Sequence, residues 1–388
     1  MTATAVVAAR ATQEDAPQAL VRRGKLSELA ARLEHIRETT RDVIADTSQV
    51  RLGITYSPQW GGEVSLNVPK LDLAPLTRFA HGQLAEKVGV PFPYYQRMQK
   101  EAPELLVENV NHWLAQQPER RLFRMAEGRI RAVLSDRYRP GLDNYGLAFA
   151  VAERAEQHHA EILQCDLSET HMQVRIGVPN AREKIGEMTA ELRARYAGNH
   201  IIGRGNVMDL DADYAVPGLL VSNSEVGAGA FKVEGYVMRL VCWNGLVMER
   251  GLYKVHIGAK LELGEFTFRE DTRQTADELT WKQVRDVIDS TFDGTFLHAQ
   301  VEKLLGAKKV AIAEPVEVVD ATAKYLALSK DRRESLLRYF SAEGETLFGL
   351  VNGVTRLAQD FADPDQQTDF ERAAGAILAT PSLVGIEA

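Results

Sequence analysis

Arg121-Leu122-Phe123-Arg124-Met125-Ala126-Glu127-Gly128-Arg129-Ile130-Arg131-Ala132-Val133-Leu134-Ser135 is the stretch that brings sheet into the reading of this chain. Apolar and basic residues alternate on both sides of Glu127-Gly128, the period-two pattern of two half-buried strands around a short turn. A two-residue turn there pairs Met125 with Ile130, Phe123 with Ala132 and Arg124 with Arg131. Side chains alternate along a strand, so one face becomes Phe123, Met125, Ile130, Ala132 and Leu134, suited to a core. The other carries Arg124, Arg129 and Arg131.

Outward from this hairpin the periods change. Towards the N-terminus, Leu26, Leu29, Leu33 and Ile36 recur at helical spacing, which predicts a helix over 25–44. Residues 50–68 read as strand broken at Gly61-Gly62. Residues 76–88 and 105–117 read as helices, the first stopped by Gly89 and two prolines. On the C-terminal side, Asp143 is placed to cap a helix running to about Gln157. Residues 161–177 form a second hairpin about Ser168-Glu169, and 181–196 read as helix. Gly218–Ser222, Gly235–Trp243 and Leu252–Ile257 read as strands, with Asn244-Gly245 as a turn. From about Thr275 the pattern is helical, with apolar stripes at Trp281, Val284 and Ile288 and at Leu347, Leu350, Val351, Val354 and Leu357. The expected fold is α+β: a mixed or antiparallel β-rich core with flanking helices and a helical C-terminal region. Residues 1–24 are expected to be a mobile tail, 25–270 the core and 271–388 the helical region.

The chain has 388 residues, 46 basic against 54 acidic, for a net charge of −8. That balance excludes a cationic coat for nucleic acid or membrane, though not a local basic site. Two cysteines, Cys165 and Cys242, make no disulfide framework, and a reducing cytoplasm is expected. No apolar run reaches the ~18 residues of a membrane helix.

Familiar chemical motifs fail on spacing. Gly227-Ala228-Gly229 is followed by Lys232 where a dinucleotide loop needs glycine. Asp209-Leu210-Asp211-Ala212-Asp213 has Tyr214 and Leu220 where a calcium loop needs glycine and glutamate. His158, His159, Cys165 and His171, with Asp166 and Glu169, match no zinc spacing. Cys242 with His256 lacks an orienting third group for nucleophilic catalysis. No catalytic residue, metal or cofactor is assigned.

The anomaly is charge. Glu119 to Arg139 holds seven arginines against three acids and no lysine, a net of +4 in an acidic chain. Arginine suits bidentate recognition of phosphate or carboxylate. Like charges opposite one another in a sheet repel, so the face needs solvent, internal carboxylates or a bound anion. Tyr138, between Arg137 and Arg139, is placed to stack on a base.

Four segments together resemble a known family. They are Val110-Asn111-His112-Trp113-Leu114; Arg131 to Arg139; Ser222-Asn223-Ser224-Glu225-Val226-Gly227 with Arg239-Leu240-Val241-Cys242-Trp243-Asn244-Gly245; and Phe348-Gly349-Leu350-Val351-Asn352-Gly353-Val354-Thr355. In this order, over roughly Leu76 to the C-terminus, they resemble the phage/plasmid-like family described as a domain of unknown function (932). The resemblance implies a role in mobile-DNA biology and no defined activity. The matched polar positions Ser135, Asp136, Arg137, Tyr138, Arg139, Asn223, Ser224, Glu225, Arg239, Asn244 and Gly245 form a candidate shared site, in which Glu225 could instead simply pair with Arg239.

Three readings follow. The first is an accessory protein that binds or anneals single-stranded DNA, with Arg124, Arg129, Arg131, Arg137 and Arg139 on phosphates, Tyr138 on a base, and homo-oligomerisation multiplying weak contacts. The second is an enzyme with a polar site from Ser222–Glu225, Arg239, Asn244 and His256. The third is a regulatory factor whose arginine face binds an acidic partner.

Overall fold

A computed structural model describes residues 20–57, 61–136, 138, 143–196, 200–201, 205–206, 210–242, 244–255, 270–292 and 294–387. Within them the chain is α+β with antiparallel sheets, as expected.

The N-terminal part begins with β1 (Val21–Gly24), α1 (Leu26–Thr39), β2 (Arg41–Asp46), β3 (Arg51–Ser57), β4 (Gly61–Asn67) and β5 (Ala74–Pro75). Three helices follow, α2 (Arg78–Lys87), α3 (Phe92–Glu101) and α4 (Pro103–Gln116), then the hairpin β6 (Arg120–Ala126) and β7 (Arg129–Ser135). The expected helix over 25–44 ends at Thr39. Ile44 continues its apolar spacing, but Arg41–Asp46 pairs antiparallel with β6, so the ladder overrides the local period. The strands β2-β6-β7 form one small sheet and β3-β4-β5 another. Both rest on a core with α2, α3 and α4, through Leu52, Leu66, Leu84, Leu106, Phe123 and Ile130.

The main sheet lies beyond α5 (Asn144–Gln157), whose cap is Asp143, its carboxylate accepting from the Gly146 amide at 2.6 Å. Its strands are β8 (Glu161–Leu167), β9 (Met172–Gly177) and β10 (Glu183–Glu187), and then, past α6 (Ala190–Tyr196) and the short pair β11 (His200–Ile201) and β12 (Gly205–Asn206), β13 (Ala212–Asn223), β14 (Phe231–Arg239) and β15 (Asn244–Val255). The order is β1-β8-β9-β13-β14-β15, with β10 also on β13. Thus Val21–Gly24 is a sheet strand and not tail, and part of the expected 181–196 helix is β10. Asn244-Gly245 opens β15 opposite Arg239 and Met238 and is not the turn. Glycine at 245 is set by packing, because a Cβ there would fall 1.8 Å from the buried Tyr236 hydroxyl.

Seven helices complete the described chain after α5: α6 above, α7 (Glu270–Thr291), α8 (Gly294–Ala307), α9 (Pro315–Tyr325), α10 (Lys330–Glu343), α11 (Leu347–Ala358) and α12 (Pro364–Ala379). The two faces of the sheet are covered differently. One presents Cys165, Leu167, Val174, Ile176, Leu219 and Val221 to α1, α5 and α7. The other presents Gln164, Asp166, Gln173, Arg175, Ser222 and Glu234, all buried. The helical region is one body with the sheet, since Ala215, Val237 and Leu246 share a core with α8, α10, α11 and α12.

The polar face is closed by α12. Arg175, fully buried, bonds Asp166 Oδ2, Glu371 Oε2 and Thr368 Oγ1, each at 2.8 Å. Arg22 reaches Asp166 Oδ1 at 3.0 Å, and Arg372 reaches Glu234 at 2.6 Å. The acidic run 360–371, which reads as solvated surface, therefore supplies internal counter-charges. A buried charge is tolerable only when paired and hydrogen-bonded, and these pairs join β1, β8, β9 and β14 to α12.

Candidate functional site

The arginine hairpin turns as expected. Glu127 and Gly128 have φ of 52° and 72°, the left-handed pair of a type I′ turn. The register beyond it differs. Met125 pairs with Ile130, but Arg124 pairs with Ala132 and Phe123 with Val133, so Arg131 is the extra residue of a bulge. The two central arginines are not opposite each other, and Ala132 and Leu134 leave the Phe123 face. Ile130 and Val133 pack with Phe123 and Met125, whereas Ala132 and Leu134 pack with Leu122 and Val226.

The same face buries Arg124, 5% exposed, and Arg131, 7% exposed. Arg124 grips Asp42 of β2 with Nε–Oδ1 at 2.9 Å and Nη2–Oδ2 at 2.6 Å, and Nη1 donates to the Glu225 carbonyl at 2.7 Å. Burial opposes its charge, but Asp42 outweighs burial and holds the guanidinium protonated above its ordinary value. Arg131 is compensated less well. Its Nη1 lies 3.7 Å from Glu225 Oε2, its Nη2 donates to the Glu169 carbonyl at 3.5 Å, and burial lowers its pKa despite Glu225. Tyr138 packs against this junction. Its hydroxyl donates to the Ser224 carbonyl at 3.2 Å, and Arg124 lies 5.4 Å from its ring centroid. Burial pushes the phenol up to about 12.

Arg124, Arg131 and Tyr138 are thus committed to the protein interior rather than to phosphates and a base. Arg129 is half exposed and meets Glu63 at 3.1 Å. Arg121 meets Glu119 at 2.9 Å. Arg137 and Arg139 lie outside the described residues.

The candidate shared site divides into two places. Asn223, Ser224 and Glu225 stand at one end of β13: Asn223 Nδ2 donates to Asn144 Oδ1 at 2.8 Å, Ser224 Oγ accepts from the Ala228 amide at 2.9 Å, and Glu225 Oε1 accepts from the Asn144 amide at 2.6 Å. Arg239 stands beside Asp213 at the other end, about 33 Å away at ~3.3 Å per residue. Glu225 therefore pairs with Arg131 and not with Arg239. The side chain of Asn244, and His256 entirely, lie outside the described residues. Cys242 is buried beside Val241 and Tyr196.

Around Arg239 there is a cleft of about 400 Å³, lined by β10, β13, α6, α10 and the residues after α8. Arg239 bonds Asp213, with Nη2–Oδ2 at 2.8 Å, and Glu343. Glu343 also accepts from the Tyr196 hydroxyl at 2.8 Å. Burial would raise its pKa, but Arg239 overrides this and keeps it ionised. Of the other carboxylates lining the cleft, Glu187 pairs with Lys184 and Glu191 with Arg195. Lys308 differs. Its Nζ donates to the Ile185 carbonyl and sits 4.5 Å from the Phe348 ring centroid, with no carboxylate within ion-pairing distance among the described residues. Arg239 flanks the same ring at 5.5 Å. Burial lowers the pKa of Lys308. No sequence motif marks Lys308; the helical run that ends just before it gives only its position.

Two other groupings have a catalytic look. Ser168, His171 and Asp365 meet, but Ser168 Oγ donates to Asp365 Oδ2 at 2.8 Å and His171 Nδ1 binds the same oxygen at 3.0 Å. A nucleophile relay needs serine hydrogen-bonded to imidazole, so this is a structural knot between β8, β9 and α12. The histidines and cysteine weighed for metal do not converge: His158 bonds Asp289, His171 bonds Asp365, and Cys165 is in the core. Among the described residues no helix is long and apolar enough to cross a membrane. Comparison with protein-family profiles, curated proteins and solved structures finds no match to this chain.

Proposed function

We propose that the protein binds a small anionic molecule, bearing a phosphate or carboxylate, at Lys308 in the Arg239 cleft. The observation that carries this reading is the charge pairing. The carboxylates lining the cleft are in direct ion pairs, whereas the half-buried Lys308 ammonium has a carbonyl and a ring face as its direct contacts, with Asp213 and Glu343 acting on it from beyond ion-pairing distance. A concave site with a few converging polar groups is the usual form of a small-ligand pocket. An anion would supply a direct ion pair and offset the desolvation of Lys308. Arg239 and Phe348, which flank Lys308, belong to two of the segments that carry the family resemblance. On the mobile-element reading the natural anion is a nucleotide phosphate. The arrangement offers recognition, and no reaction is assigned to it. The test is calorimetric titration with inorganic phosphate, acetate and a nucleoside monophosphate. The wild type should bind at least one of them, and Lys308→Met should lose at least tenfold in affinity; equal binding by both proteins, or none by either, would overturn the reading.

A second reading, single-stranded nucleic acid on the outer edge of the hairpin, is favoured by the exposure of Arg129 (47% for its side chain) and of Tyr56 (73%) near the β3–β4 tip. Exposed cations and accessible aromatics are the elements of such binding. It requires salt-sensitive binding of an oligonucleotide that Arg129→Glu and Tyr56→Ala weaken. Binding unaffected by both substitutions counts against it.

A further inference from the structure

The buried stripe of α8 includes Leu297, Val301 and Leu304. His298 and Glu302 stand beside that stripe, one helical turn apart, and both are exposed. Ala215 of β13 shares a core with Val301 and Leu304, and Glu183 of β10 pairs opposite Ala215. The sheet thereby brings Glu183 to the exposed flank of α8. His298 Nδ1 lies 2.5 Å from Glu183 Oε1, and its Nε2 lies 3.8 Å from Glu302 Oε1.

The charges at this junction do not balance. Two carboxylates share one imidazole, and among the described residues neither has another ion-pair partner. The cations next to Glu183 in sequence are engaged elsewhere. Lys184 pairs with Glu187 at 2.5 Å, and Arg182 lies 4.7 Å from the Tyr214 ring centroid. One donor atom from each of Glu183, His298 and Glu302 lies within 4.8 Å of the other two. Bonds of about 2.0–2.2 Å to a tetrahedral ion set its donors about 3.4 Å apart. Rotation of the exposed His298 and Glu302 side chains is enough to close that difference, and the open side leaves an entry path for the ion.

We propose that Glu183, His298 and Glu302 bind a divalent first-row transition ion, with Zn²⁺ as its probe, at the surface junction of β10 and α8, water completing the coordination. The donor set selects this class. One imidazole nitrogen with two carboxylate oxygens suits Zn²⁺ and its neighbours, whereas Mg²⁺ and Ca²⁺ take oxygen ligands. The ion neutralises both carboxylates and clips β10 to α8. Further along the same two elements, Lys308, just past α8, donates to the Ile185 carbonyl of β10. The metal site and the Lys308 cleft share these elements but no residue, so each stands or falls separately.

The test is calorimetric titration of the full chain with zinc chloride and, for comparison, magnesium chloride. It is joined to the imidazole nitrogen resonances of His298, assigned by their loss in His298→Gln. Zn²⁺ should bind more tightly than Mg²⁺ and shift those resonances. Loss of even a supporting partner of a metal ligand costs about tenfold or more in affinity. His298→Gln, Glu183→Gln and Glu302→Gln should therefore each weaken Zn²⁺ by at least that factor, whereas His112→Gln, an exposed histidine on α4, should leave it unchanged. No Zn²⁺ binding, no preference over Mg²⁺, or unmoved His298 resonances would overturn the proposal. So would an affinity that survives Glu183→Gln or Glu302→Gln, the result for a lone surface histidine, or one that falls equally in His112→Gln. Because the resonances are read in the wild type, the proposal stays falsifiable if a variant folds poorly.

Discussion

Arg124 and Arg129 sit on the same hairpin and look equivalent in sequence, and the structure gives them opposite roles. Arg124→Met strips Asp42 of a bidentate partner at 2.9 and 2.6 Å and removes a hydrogen bond to the Glu225 carbonyl at 2.7 Å. Breaking a buried pair by deleting one member costs about 3–5 kcal/mol. The Asp42 side chain is 23% exposed, so water partly relieves the orphaned carboxylate and the expected loss is at the low end, ~3 kcal/mol. Arg129 and Glu63 are each nearly half exposed, and a pair of that kind contributes at most ~1 kcal/mol. Urea denaturation of the two single variants measures both. The double variant Arg124→Met/Asp42→Asn should lose less than the sum of its singles, because the second change removes the charge that the first leaves behind. Equal losses for Arg124→Met and Arg129→Met, or a loss below ~1 kcal/mol for Arg124→Met, would refute the assignment of Arg124 to the interior.

Other consequences are independent of the hairpin. Burial by itself would raise the pKa of Asp365, but His171, Thr170 and Ser168 outweigh it and bring it down to about 2. A depressed carboxylate stabilises the fold above its unfolded pKa and loses that contribution as pH falls through the folded value. Asp365 should therefore contribute about 2 kcal/mol at neutral pH, lost between about pH 4 and pH 2; Asp365→Asn, compared with wild type across that range, should flatten this part of the curve, and an unchanged curve would count against the knot. Gly245→Ala places a methyl 1.8 Å from the Tyr236 hydroxyl and should cost ~1–3 kcal/mol as an overpacked site. Tyr236→Phe should recover part of that loss, and no recovery would mean that the backbone and not the hydroxyl sets the glycine.

The local features of this fold were legible in the sequence because their causes are local. Glu127-Gly128 supplies the two positive φ values that its turn needs, and Asp143 caps α5 through a contact three residues away. The stripe of Val284 and Ile288 is buried as its spacing implies. What was not legible depends on distant partners. The bulge at Arg131 has no signature of its own; its side chain reaches towards Glu225 and the Glu169 carbonyl, on other elements. Residues 41–46 carry a helical period and become strand because β6 pairs with them. The acidic run 360–371 reads as surface until Arg175 meets Glu371 across 196 residues. Arg239 and Glu225 look like mutual partners, but Asp213 and Glu343 take one and Arg131 the other. Lys308 stands out only once Ile185, Phe348 and Arg239 surround it.

The central claim concerns that lysine, and it can be read at the atom itself. In protein labelled with ¹³C and ¹⁵N at lysine, with the Lys308 signal assigned by its loss in Lys308→Met, the side chain is titrated with and without the anion that binds best in calorimetry. Burial lowers its pKa in the free protein, so the signal should titrate below the other lysines. A bound anion stabilises the ammonium, so saturation should move the titration upwards, and by linkage anion affinity should fall as pH rises through the free-state pKa. A Lys308 signal that titrates with the exposed lysines and does not move when anion is added would contradict the account.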